Sequence, residues 1–182
     1  MPLSSPDARK HVHTRAIECR GYEREDGLWD IEGHLIDVKT YSFEKRNQER
    51  VEAGEPFHEM WLRLTIDDDL EIHGAEAVTD HAPTSLCGVI TPNFAGLKGI
   101  KIGPGWRRKA HAVVGGVKGC THLVELLSPL ATVAYQTLWP SRAKRRGGKV
   151  DDSPQFLNTC YAYASDGELV KKIWPKAYTG TG

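Results

Sequence analysis

Alternation of apolar and polar positions organises the first half of the chain. From His13 to Tyr22 the odd positions carry His13, Arg15, Ile17 and Cys19, and the even ones carry Thr14, Glu18 and Arg20. This two-residue period predicts a strand, with His13 and Arg15 making its inner face unusually polar. Glu25-Asp26-Gly27 supplies turn chemistry. A second strand is predicted from Leu28 to about Tyr41, with Trp29, Ile31, Gly33 and Leu35 on one face. Asp37 continues that apolar face, so its carboxylate needs an explanation. Phe43 to Pro56 is charged and reads as an exposed excursion. The clearest alternation follows, from Phe57 to Asp67: His58, Met60, Leu62, Leu64 and Ile66 oppose Glu59, Trp61, Arg63 and Thr65. Asp67-Asp68-Asp69 is a polar turn, and Leu70 to Asp80 reads as a fourth strand. Sequential strands joined by short turns usually pair, which predicts a β-meander.

The period then changes. Ala82-Pro83-Thr84 opens a short predicted helix carrying Leu86, Cys87 and Ile90, which Pro92 restarts or ends. Five residues among Gly96 to Gly105 are glycine or proline, which predicts a loop. Trp106 to Val114 reads as a helix that Gly115-Gly116 breaks. Beyond Gly119, Leu123, Leu126, Leu127, Leu130, Val133 and Ala134 recur at helical spacing, with Pro129 expected to bend the helix. Ser141 to Ser153 reads as a basic loop, and Phe156 to Trp174 as a compact unit, either a hairpin or a helix pair, turning at Ser165-Asp166-Gly167. Strands first and helices afterwards predict an α+β fold, an N-terminal antiparallel β-meander packed against C-terminal helices. Residues 1–12 are expected to be a flexible tail and 13–182 a single globular domain.

Composition narrows the function classes. The chain has 182 residues, 40% of them hydrophobic and 26% charged, ordinary for a folded domain. Lys+Arg and Asp+Glu both number 24, so the basic excess expected of a nucleic-acid binder is missing. No apolar run spans a membrane and no secretory leader is visible, which makes the cytoplasm the expected compartment. Cys19, Cys87, Cys120 and Cys160 are widely spaced, which favours free thiols over a disulfide framework or a zinc finger.

Several strings taken together resemble a bacterial family. They are His13-Thr14-Arg15, Cys19-Arg20-Gly21-Tyr22, Arg24-Glu25-Asp26-Gly27-Leu28-Trp29-Asp30, His58-Glu59-Met60-Trp61, Gly119-Cys120-Thr121-His122-Leu123 and Tyr178-Thr179-Gly180. The family is Domain of Unknown Function 2889, and the resemblance spans about His13 to Gly180. It implies a stand-alone bacterial domain with no assigned reaction.

The chemistry-bearing residues are few. Cys120 and His122 follow a glycine-rich stretch at a predicted helix start, with Thr121 as the expected cap, where free N–H groups favour a thiolate or a bound anion. Cys120 then reads as a nucleophile and His122 as a base or ligand, against a plainer reading of a small buried thiol and a local hydrogen-bonder. His58 ends an apolar strand face and suits a general base, although a structural histidine has the same signature. Asp37 and Asp80, at strand ends, are candidates to orient it. The plainer readings are a buried ion pair with Arg15 for Asp37 and a surface turn for Asp80. His13, Arg15, Tyr22, Arg24 and Trp61 are candidate substrate-binding residues, and Trp29 and Trp106 candidate aromatic lining. A phosphate loop is excluded because Gly99 to Gly105 lacks the Lys-Ser/Thr ending.

The favoured reading is a cofactor-independent enzyme of lyase or isomerase type, acting by general acid–base chemistry on a small organic molecule, with aromatic ones included. No metal is assigned. The alternatives are a zinc-dependent hydrolase using Cys and His ligands, and a non-catalytic ligand-binding or assembly module. A homo-oligomer is left open; nucleic acid and membrane are not expected partners.

Overall fold

The computed structural model describes residues 4–45, 48–145, 147 and 156–180. It divides into two compact units, Met1–Trp139 and Pro140–Gly182.

The first unit is built on a four-stranded antiparallel sheet. Strands β1 (His13–Glu23) and β2 (Trp29–Lys39) are 11 residues each and pair through their whole length. A short ribbon of β3 (Phe43–Glu44) and β4 (Arg50–Val51) occupies the excursion that follows. The sheet then resumes with β5 (Pro56–Ile66) and β6 (Ile72–His81), in the order β1-β2-β5-β6. Val51 of the ribbon is buried, so this excursion is not wholly exposed as the charge pattern predicts. One hydrophobic anchor among charged neighbours explains the difference. The meander and the α+β class are as the sequence predicts.

Burial along β2 and β5 follows the pleat. Trp29, Ile31, Leu35, Met60, Leu62, Leu64 and Ile66 are buried on one face, because successive strand side chains point to opposite sides. Onto that face packs a helical layer: α1 (Trp106–Val114) and α2 (Thr121–Arg145), with Leu123, Leu126, Leu127, Leu130 and Leu138 of α2 buried. The opposite face carries a polar ladder. Arg63 pairs with Glu32 and Glu76, Glu59 bonds both His34 and His81, and the Trp61 ring stacks on His34 at 3.7 Å.

Three predicted features need correction. The short helix after Ala82 is two separate 3-10 turns, Ser85–Gly88 and Thr91–Leu97. Thr84 caps the first, and Pro92, which has no N–H to offer, sits in the opening turn of the second. The basic loop is in part helix: residues 141–145 continue α2, where Arg142, Lys144 and Arg145 complement the negative C-terminal end of the helix dipole. Residues 146 and 148–153 of that predicted loop lie outside the described residues. Trp29 and Trp106 belong to the core.

In the second unit, a 3-10 turn at Tyr161–Tyr163 precedes α3 (Glu168–Ile173) and a 3-10 turn at Pro175–Ala177. Phe156, Tyr163 and Trp174 form a ring cluster, and Thr179 N donates to the Ser165 carbonyl. The alternation there resolved neither a hairpin nor a helix pair, and the unit is neither.

Candidate functional site

The register of the sheet aligns three charged or titratable residues in a row across neighbouring strands. Arg15 on β1 is opposite Asp37 on β2, and Asp37 is opposite His58 on β5. All three point to the face covered by α2, at the open end of the sheet. His58 keeps the parity of Met60 and Leu62, so the pleat itself puts it on the Asp37 face. A bulge begins just beyond it: Pro56 pairs with Val38, leaving Phe57 as the extra residue.

Asp37 is fully buried and its two oxygens accept four bonds from three side chains. Oδ1 accepts from Arg15 Nε at 2.8 Å and from His13 Nε2 at 3.0 Å. Oδ2 accepts from Arg15 Nη2 at 2.7 Å and from His58 Nδ1 at 3.0 Å. The guanidinium therefore grips the carboxylate with a fork of two bonds. A carboxylate only accepts, so Nδ1 of His58 carries the hydrogen and Nε2 is left as the basic nitrogen. That Nε2 has no hydrogen-bond partner among the described residues and is not fully buried, in a side chain 12% exposed. Arg15 reaches further, to Glu125 of α2 at 2.6 Å.

The start of α2 adds the second imidazole. Gly119 runs so close to the Val114 carbonyl oxygen that a Cβ there would lie 1.8 Å from it. Only glycine permits this path, and the path sets Cys120 at the head of the helix. The Cys120 carbonyl accepts from Val124 N, which makes Cys120 rather than Thr121 the cap residue. Its Sγ is 3.7 Å from His122 Nδ1 and 3.8 Å from Met60 Sδ. The His122 ring lies 4.0 Å from the His58 ring, and its Nε2 is 4.0 Å from Asp37 Oδ2.

Electrostatics separate the charges cleanly. Burial alone would raise the Asp37 pKa, but the Arg15 fork and the His13 bond outweigh it and hold the carboxyl at about 2. Burial lowers the His58 pKa, and the neighbouring His122 lowers it further against the pull of Asp37. Burial and Arg15 lower His122 in the same way. Near neutral pH the centre is a carboxylate beside two neutral imidazoles. Asp37, His58 and His122 also offer three ligand atoms within 4.8 Å of one another, a donor set that a metal ion could use.

The remaining candidates lie elsewhere. Asp80 occupies a bulge between β5 and β6 and accepts from Trp61 Nε1 at 3.0 Å, on the opposite face of the sheet. Neither Asp80 nor Trp61 can orient His58 or line its surroundings. Tyr22 and Arg24 are some seven or more residues further along β1 from Arg15, about 23 Å by strand rise. Arg24 is paired there with Asp26 and Asp30. Sequence reasoning missed Glu125, although it lies one helical turn from His122 and shares its face. It also missed the rings of Tyr41, Phe43 and Phe57. Phe57 lies 4.6 Å from the His58 ring and 5.7 Å from the His13 ring. Its position on the bulge hid it, because the extra residue breaks the two-residue period.

Fold and site thus define an α+β protein with a buried, arginine-clamped carboxylate and two imidazoles at the sheet–helix junction. The chain belongs to the family of proteins of unknown function designated DUF2889, whose model matches residues 13–136. That span contains the whole Asp37 centre and ends before Tyr178-Thr179-Gly180. No curated protein and no solved structure matches the chain. Among the described residues, no helix is long and apolar enough to cross a membrane.

Proposed function

We propose that the protein is an enzyme of lyase or isomerase type in which the Asp37–His58 pair moves a proton on a small organic molecule. The observation that carries this reading is the orientation of His58. Its Nδ1–H is fixed on a buried carboxylate, while Nε2 is without a partner among the described residues and not fully buried. A base so arranged is held in one tautomer, and the imidazolium formed on proton uptake is stabilised by the carboxylate behind it.

His122 completes the pair of groups that such chemistry needs. The Asp37 carboxylate, 4.0 Å from His122 Nε2, favours the tautomer with the hydrogen on that nitrogen. His58 Nε2 takes a proton from the substrate, His122 Nε2–H hydrogen-bonds the charge that develops, and the imidazolium formed at His58 returns the proton to the leaving group or to the carbon that receives it. The two rings are close enough to serve one small molecule. Burial lowers the pKa of both rings, which favours the neutral form that His58 needs as a base and leaves His122 a hydrogen-bond donor.

The main rival is a divalent metal, zinc for instance, on Asp37, His58 and His122. Two imidazoles and a carboxylate are a suitable donor set. The fit is poor for a physical reason: Oδ1 and Oδ2 already accept four bonds, and a dication on Oδ2 would displace His58 Nδ1–H and sit beside the Arg15 guanidinium. Cys120 does not belong to that ligand set, contrary to the Cys/His hydrolase expectation. About one zinc per chain in protein purified without chelators, lost in His122→Ala, would overturn the acid–base reading.

The test of the proposal is His58→Gln. On any substrate found by screening small organic acids and their esters, kcat should fall about 10²–10⁴-fold, with the circular dichroism spectrum unchanged. Unaltered turnover in folded H58Q removes His58 from the reaction.

A further inference from the structure

The charges around the Asp37 centre do not balance evenly. Arg15 is committed to Asp37 and to Glu125. Lys39 is different. It stands two residues beyond Asp37 on β2, on the same face by the pleat, and opposite His13 in the register. No carboxylate lies within ion-pair distance of its ammonium among the described residues. Nζ instead donates to Tyr41 Oη at 3.0 Å and is bracketed by three rings, at 5.1 Å from Tyr41, 4.9 Å from Phe43 and 5.4 Å from Phe57.

Those rings explain how an uncompensated cation is held in place. The negative face of each ring attracts the ammonium without neutralising it. Phe43 meets Phe57 edge-on at 5.5 Å, and Tyr41 meets Phe43 at 6.4 Å, so the rings brace one another. Phe57 then joins this group to the centre, since the same ring lies against both His58 and His13. The ammonium and the His58 imidazole thus both lie against one phenyl ring, at 5.4 Å and 4.6 Å from its centroid.

We infer that Lys39 and the Tyr41, Phe43 and Phe57 rings form the binding wall for an aromatic carboxylate, the substrate class of the Asp37–His58 centre. The inference rests on the acid–base reading and deepens it. The carboxylate of the ligand meets the Lys39 ammonium, its ring lies along Phe57, and its reacting atom is presented to His58 Nε2. Among the described residues Lys39 has no carboxylate partner, and Phe57, one of the rings that bracket it, lies against both His58 and His13. This wall stands where the sequence had suggested Trp29, Trp61, Trp106 and Tyr22.

The experiment is a binding titration of the full chain with 4-hydroxybenzoate and with its uncharged counterpart, 4-hydroxybenzamide, followed by saturation-transfer NMR and by the His58 ring signals. The benzoate should bind and shift the His58 signals. The benzamide should bind about tenfold more weakly or worse. Lys39→Met should weaken the benzoate by about the same factor, whereas Lys39→Arg should retain most of the affinity because it keeps the charge. Circular dichroism establishes that each variant is folded. Equal binding of acid and amide, equal binding by K39M, or no binding of the benzoate at about 10 mM overturns the inference. This readout is affinity alone, whereas the acid–base reading stands or falls on turnover in H58Q, so the two can fail separately.

Discussion

At the scale of single residues, Asp37 carries the most consequence, because one carboxylate organises Arg15, His13 and His58 together. Replacing it with alanine leaves a guanidinium and two imidazoles without their common acceptor. Breaking a buried ion pair from one side is strongly destabilising, and the loss for D37A is expected at about 3 kcal/mol by urea unfolding. That is the low end for such pairs, since Arg15 reaches solvent at its edge. The imidazoles give a second expectation. Ring NMR titration should place the midpoints of His58 and His122 below 6.5, where burial and nearby cations put them. A His58 midpoint above 6.5 would mean that the base is already protonated near neutrality. The residues of this centre were legible to the extent that they broke a pattern. Asp37 interrupted an apolar face and His58 ended one, so parity alone placed them together. Asp80 and Trp61 fell away for the same reason in reverse: Trp61 has the opposite parity, and the bulge at Asp80 shifts its register. Tyr22 and Arg24 failed on distance, which composition does not encode.

At the scale of elements, the join between sheet and helix decides the geometry. Strand β1 passes under α2 at Gly21, where an added Cβ would lie 2.0 Å from Thr137 Oγ1 and 2.8 Å from its Cβ. Rotating the threonine cannot relieve the second contact. Gly21→Ala is therefore expected to lower stability by about 1–3 kcal/mol through overpacking, measured by thermal or urea unfolding. An unchanged midpoint would mean that β1 and α2 are not held this closely. The strands were readable because alternation needs only a few residues to declare itself. The turns between Ala82 and Gly105 were less so, because 3-10 segments are short and share their residues with loops. Cys120 as cap in place of Thr121 is a shift of one position, within the ordinary uncertainty of a helix end.

At the scale of the whole molecule, the titrating groups act in one direction on stability. Asp37 binds its proton more weakly in the folded state than in the unfolded chain, so its contribution is present above the unfolded pKa and is lost as pH falls from 3.8 toward about 2. His58 and His122 also have folded pKa values below 6.5, so below that pH the unfolded chain takes up protons first and stability falls. The expected profile rises with pH from about 2 to 6.5, measured as urea midpoints across that range; a maximum below pH 5 would contradict it. The class of the fold was open to sequence reasoning because periods of two and of 3.6 residues occupy different halves of the chain. The centre as a whole was not, since its parts come from three strands and a helix, and only the folded register brings them to one point. That origin bears on how the protein matures. Arg15, Asp37 and His58 meet as soon as the meander zips, through hairpins that close over short stretches of chain. His122 arrives only when a helix that begins 63 residues after His58 docks on the finished sheet. On the acid–base proposal, a half-folded chain has the histidine–aspartate pair without its second imidazole, so turnover would be a stamp of completed folding.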